Sequence, residues 1–156
     1  MSQPNNPGAV VVDANILISL CIKEPVTFTQ AHTAFNDYGK NGWDFYAPSV
    51  IVAEVLYVLC QKLQTGLITQ AKYDEAIEFF KDYMSLISTP AGGDAPLIQR
   101  AKEIQSGYGC SRSADCLYIA LTEELAGSGM AELLTLDSGC VNQAAKNAPS
   151  VKVNLR

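Results

Sequence analysis

Histidine is nearly absent from this 156-residue chain. His32 stands alone, which excludes H-E-x-x-H and every other multi-histidine zinc site. Cysteine is sparse and unpatterned: Cys21, Cys60, Cys110, Cys116 and Cys140 are odd in number and contain no C-x-x-C. Neither a disulfide scaffold nor a cysteine zinc site is expected, and most of these thiols sit among aliphatic residues, where they behave as small hydrophobes. Long apolar runs are missing too. Stretches such as Val55–Cys60 fall far short of the roughly 18 residues a membrane helix needs. No G-x-x-x-x-G-K-S/T occurs, which removes a phosphate-cradling P-loop. The opening MSQPNNPG has no basic region and no apolar segment, so no secretory signal is expected. These absences point to a soluble cytoplasmic protein whose chemistry is mainly that of carboxylates.

What is present suits one compact domain. Hydrophobic residues make up 48% and charged residues only 17%, enough to bury a sizeable core and too apolar for a disordered chain. The formal net charge of −5 argues, taken alone, against a phosphate-backbone binder, which normally carries a basic footprint.

Residues 1–8, rich in Asn and Pro, read as a flexible tail. Ala9 to Val12 is a short run of mostly β-branched residues, as in a strand buried on both faces. Asp13 ends it, and a helix is expected behind. Pro25 suits the first turn of a second helix, with Phe28, Ala31, Phe35 and Tyr38 at helical spacing. Asn41-Gly42 is a turn signal before a strand in WDFYAP, which Trp43 opens as a core anchor. Ser49 is expected to cap a long helix stopped at Gly66. Thr69 caps the next, Asp94 with Pro96 opens another, and Ser111 caps a further one that ends at Gly127. ELLTLD reads as a strand, SGCVNQAAKNA as a short helix and VKVNL as a last strand. This alternation predicts an α/β fold: a parallel sheet of four or five strands with helices on both faces. Its ligand site is expected beyond the carboxyl ends of the strands.

Two strands end directly in aspartate, Asp13 after AVVV and Asp137 after LLTL, so both face that crevice. Glu54 and Asp115 lie inside otherwise aliphatic helical segments, where a lone buried charge is very costly. Converging acids without histidine or cysteine partners suit a hard, oxygen-preferring cation, Mg2+ or Mn2+, which relieves the mutual repulsion that otherwise protonates one of them. Each acid also has a structural reading. Asp13 and Asp137 could be helix caps, Asp115 an acid favoured by a first helical turn, and Glu54 a partner of a cation or of solvent. Asn15 reads as a helix-start residue or a ligand, and Thr135 alternates with Asp137 on its strand. His32 reads as structural.

Four segments, VVVDANILISL, PSVIVAEVLYVL, SADCLYIALTEELA and LLTLD, in this order and spacing, resemble the PIN-domain nucleases, and among them the VapC-like toxin ribonucleases. The resemblance covers nearly the whole chain and implies one PIN-like nuclease domain over residues 9–156. It places the catalytic and metal-holding carboxylates on Asp13, Glu54, Asp115 and Asp137, and a hydroxyl residue on Thr135. The chain departs from the family after the last aspartate. Ser138, Gly139 and Cys140 stand where an aromatic or large aliphatic residue is common.

The resemblance implies Mg2+- or Mn2+-dependent endonucleolytic cleavage of single-stranded RNA. Asn15 and Thr135 would orient the aspartates, and Arg112, Lys23 and Lys146 are candidates for phosphate contact. A homodimer and a small antitoxin partner are implied as well, with no role for a membrane. Setting aside the four acids brings the remaining charge to about −1, which softens the electrostatic objection. Two other readings stand beside this one. VVVDAN could open a receiver-like Mg2+-binding signalling module, although Ala14 follows Asp13 where an adjacent acid is wanted. A PIN fold could also be kept only for protein binding.

Overall fold

The computed structural model describes residues 6–110 and 114–156. Five strands, β1 (Ala9–Val12), β2 (Asp44–Tyr46), β3 (Ile87–Ser88), β4 (Ala131–Thr135) and β5 (Lys152–Leu155), form one parallel sheet in the order β3-β2-β1-β4-β5. Around it lie seven helices among the described residues: α1 (Ala14–Ile22), α2 (Phe28–Lys40), α3 (Ile51–Gln64), α4 (Gln70–Met84), α5 (Ile98–Gly107), α6 (Asp115–Ala126) and α7 (Ser138–Asn147). The helices divide into two packed groups, α1–α4 and α5–α7, and α1 and α6 lie against the central strands. No helix among the described residues is long and apolar enough to cross a membrane.

Strand β1 sits at the centre because nothing in it is polar: Val10, Val11 and Val12 are completely buried, as a strand covered on both faces requires. From β1 the chain builds outward through β2 and β3 on one side and through β4 and β5 on the other. The order reverses between β1 and β4, and a doubly wound sheet opens its crevice at that point. Ala9 pairs with Ala131 and Val12 with Leu134, so Asp13 and Thr135 emerge side by side at the carboxyl edge.

The N-terminal residues that are described lie against the sheet edge. Asn6 bonds to Asp44, and Gly8 accepts from the Asp44 amide at 3.1 Å. A Cβ on Gly8 would come within 2.5 Å of the Met130 carbonyl oxygen, so this close approach needs glycine. Residues 1–5 of the expected tail lie outside the described residues.

Several local expectations are corrected. Strand β3 is absent from the sequence reading because two residues beside Pro90 carry no periodicity. Pro25 lies in a turn, and α2 starts at Phe28. Trp43 precedes β2, half-buried, with its ring edge-on to Tyr38. Ser49 does not cap α3. The carboxylate of Asp94 does so from a distant loop, accepting from the Ser49 amide at 2.7 Å and the Val50 amide at 2.9 Å. Gly93, with φ +70°, makes the bend that presents Asp94. The Ser111 cap falls outside the described residues, and α6 begins at Asp115 without a side-chain cap from Ala114.

Two polar clamps hold the helices and edges in register. Arg100 on α5 grips Glu123 on α6 with two bonds of 2.6 and 2.9 Å and reaches the Asn147 carbonyl of α7 at 2.8 Å. Buried Glu132 on β4 accepts from the Tyr38 hydroxyl at 2.9 Å and pairs with Lys152 at 2.7 Å. Neither clamp was evident in the sequence.

Because Asp94 satisfies two amides at once, its removal should cost more than that of an ordinary cap. Asp94→Ala is expected to destabilise the domain by about 1–3 kcal/mol in urea unfolding, with Ser49→Ala within about 0.5 kcal/mol of wild type.

Candidate active site

The carboxyl edge of β1 and β4 gathers four helix N-termini. Asp13 precedes α1, Glu54 lies in the first turn of α3, Asp115 opens α6, and Asp137 precedes α7. Each acid therefore sits at the positive end of a helix dipole, which offsets part of the repulsion among them.

The structural readings separate at the level of hydrogen bonds. Asp137 is a true cap: it is exposed and accepts from the Gly139 amide at 2.8 Å. Asp13 has the backbone angles of a cap yet makes no side-chain cap bond. Its Oδ2 accepts instead from the Thr135 hydroxyl at 2.7 Å and from Asn15 Nδ2 at 3.3 Å. Thr135 in turn accepts from Asn15 Nδ2 at 3.2 Å and from the Asp137 amide at 3.0 Å, while the Leu136 amide donates to Asn15 Oδ1 at 3.2 Å. Asn15 and Thr135 thus lace the two strand ends together and fix the Asp13 carboxylate.

Asp13 is 5% exposed and Asp115 9%. A carboxylate oxygen from each, together with the Cys140 sulfur, lies within a 4.8 Å cluster. Glu54 is half-buried, accepts from the Tyr118 hydroxyl at 2.6 Å, and feels the charge of Asp115. Burial, and then the charges of Asp115 and Glu54, raise Asp13 from an ordinary 3.8 to about 7 despite the opposing Thr135 bond. Burial likewise raises Glu54. The structure therefore brings Asp13, Asp115 and Glu54 together and leaves Asp137 exposed beside them.

The cationic candidates stand elsewhere. Lys23 ends α1, at the opposite end of that helix from Asp13, with its ammonium 5.2 Å from the Phe79 ring centre. Lys146 is exposed in the last turn of α7, far along the helix from Asp137. Neither reaches the acids, because each leaves its helix at the wrong end. Arg112 lies outside the described residues. His32 is exposed and stacked on Phe28, with no place in the pocket.

Two pocket residues escaped the sequence reading. Tyr118 lies three residues after Asp115 and Cys140 three after Asp137. Each spacing puts the residue on the same helix face as the acid, and that was the available signal.

The PIN-domain family model matches residues 10–146. This chain belongs to the PIN-domain family. The fold of this PIN domain is shared with solved structures. One is a chain of VapBC2 from Rickettsia felis bound to a DNA fragment from their promoter (TM-score 0.63, 14% identity, 95% of this chain and 98% of that one). Another is PAE2754 from Pyrobaculum aerophilum (TM-score 0.58, 16% identity, 89% and 87%). No curated protein sequence matches the chain. The family assignment replaces the receiver-like reading, and in agreement Glu54 stands within helix α3, where a receiver would need an acid ending a strand.

The oxygen-rich part of the pocket fits a divalent cation: two buried carboxylates meet, and Asp13 is driven toward its neutral form by burial and like charge. Without an ion this arrangement costs stability. A folded pKa above the unfolded one stabilises the fold at low pH, an advantage lost as pH rises through about 7, and by pH 8 the cost is on the order of 4 kcal/mol. In chelator, Asp13→Asn should therefore melt several degrees above wild type at pH 8, with the gap closing toward pH 4. A gap that ignores pH would show that Asp13 carries no such penalty.

Proposed function

We propose that this PIN domain is a Mg2+- or Mn2+-dependent endoribonuclease that cuts single-stranded RNA, and that it acts in the cytoplasm as the toxin of a toxin–antitoxin pair. One observation carries the reading. Asp13 and Asp115 meet, buried, at the switch point of the sheet, with Glu54 held toward them by Tyr118. A structural role offers no return for that concentration of charge, whereas a cation and a phosphodiester do.

In this reading Asp13 and Asp115 hold the metal, with Glu54 and Asp137 completing the set directly or through water. A bound divalent ion supplies an activated water and neutralises charge on the attacked phosphate and the leaving oxygen. Thr135 and Asn15 keep the Asp13 carboxylate in one orientation, which a catalytic ligand needs. Tyr118 does the same for Glu54 by donating to Oε1. The helix N-termini around the acids turn amide N–H groups toward an incoming phosphate, which allows RNA binding by a chain with few cations.

The toxin reading draws support from the likeness to a chain of the VapBC2 complex. A partner surface is available on α3, where Val52, Leu56 and Tyr57 are exposed, the last to 67%. An apolar strip of this kind on a small domain suits a homodimer or an antitoxin segment.

Purified protein should cut single-stranded RNA only with Mg2+ or Mn2+. Asp13→Asn and Asp115→Asn should each lower the rate by at least about 1000-fold, a loss of roughly 4 kcal/mol in transition-state stabilisation, while circular dichroism stays unchanged. Cleavage that survives both substitutions and chelation would remove the acids from the reaction. Expressed with its neighbouring genes, the chain should co-purify with a small protein that suppresses cutting. A clean monomer without a companion would contradict the toxin role and leave the nuclease standing.

A further inference from the structure

Cys140 is completely buried and free, and from its place in the apolar core its sulfur also approaches the acids. It lies in the first turn of α7. Its Sγ stands within 4.8 Å of carboxylate oxygens of both Asp13 and Asp115. A thiol used only as a small hydrophobe gains nothing from facing two carboxylates.

We propose that Asp13, Asp115 and Cys140 form a mixed oxygen–sulfur site that takes Zn2+ in preference to Mg2+. This binding does not rest on the nuclease reading, although it uses the same two aspartates. Mg2+ asks for about six oxygen ligands and gains little from sulfur. Zn2+ accepts tetrahedral sets of sulfur and oxygen, and three protein ligands leave it one open position. It also stands above Mn2+ in intrinsic affinity for such sites. The ligand atoms lie within 4.8 Å of one another and would draw in to the roughly 3.5 Å spacing of a tetrahedral zinc site. On binding, the Cys140 proton would leave to solvent, because zinc takes cysteine as the thiolate.

The test uses the full chain with the two exposed thiols replaced, Cys60→Ser and Cys110→Ser. Zinc X-ray absorption should show one sulfur at about 2.3 Å among oxygen neighbours, and Co2+ should give a thiolate charge-transfer band in the near ultraviolet. Adding Cys140→Ser should abolish both signals and weaken Zn2+ binding by at least roughly 10–100-fold. Adding Cys116→Ser, on the neighbouring helix, should leave both intact. A zinc shell without sulfur overturns the inference even if Cys140→Ser fails to fold, as does a sulfur shell that survives that substitution. Sulfur-bound Zn2+ in a chain that never cuts RNA with Mg2+ upholds the site and removes the nuclease reading. Mg2+-dependent cutting with a sulfur-free zinc shell does the reverse.

Discussion

The structure depends on negative charge held out of water where β1 and β4 part. Asp13 and Asp115 are nearly sealed from solvent, and Asp13 is pushed toward neutrality by burial and by its acidic neighbours. A fold accepts such a charge only if something offsets it. Part of the offset is built in, as four helix N-termini and the Thr135 and Asn15 bonds. The remainder is what a divalent cation would supply under the proposed function, and this residual charge is what makes the pocket legible as a site.

The surrounding elements serve to keep this strained centre in place. The central valines fix β1 between its neighbours. The Arg100 fork ties α5, α6 and α7 together, and so holds the helix that begins at Asp115. Asp94 anchors the first turn of α3, and so the turn that carries Glu54. Buried Glu132 lies near the opposite end of β4, where Tyr38 and Lys152 compensate it. The contrast is instructive: buried Glu132 is balanced by a lysine, whereas buried Asp13 feels the like charges of Asp115 and Glu54, and it is the latter pocket that points to chemistry. Stability given up at a functional pocket in this way is a common exchange.

Much of this was readable in advance, for physical reasons. A run of valines ending in aspartate can do little but emerge at a sheet edge, so β1 and Asp13 were plain. The acids inside aliphatic helices, Glu54 and Asp115, stood out because burial penalises them. Thr135 and Asn15 followed from alternation and adjacency. What stayed hidden depended on distant pairing. Asp94 capping α3 across 45 positions, the two-residue strand β3 and the Glu132 clamp leave no local periodic trace. Lys23 and Lys146 stand away from the acids; charge in a sequence does not say which end of a helix it leaves from. Cys140 reads as a small hydrophobe and does pack in the core, but its approach to Asp13 and Asp115 depends on tertiary neighbours that leave no local trace.

The most direct measurement is a crystal soaked in Mn2+ with data collected for anomalous scattering. A strong peak bonded to the Asp13 and Asp115 carboxylates, with Glu54 still held by Tyr118, is the predicted result. A pocket with no peak under saturating Mn2+, or an ion bound only at other acids of the surface, would contradict the claim that this buried charge exists to hold a metal.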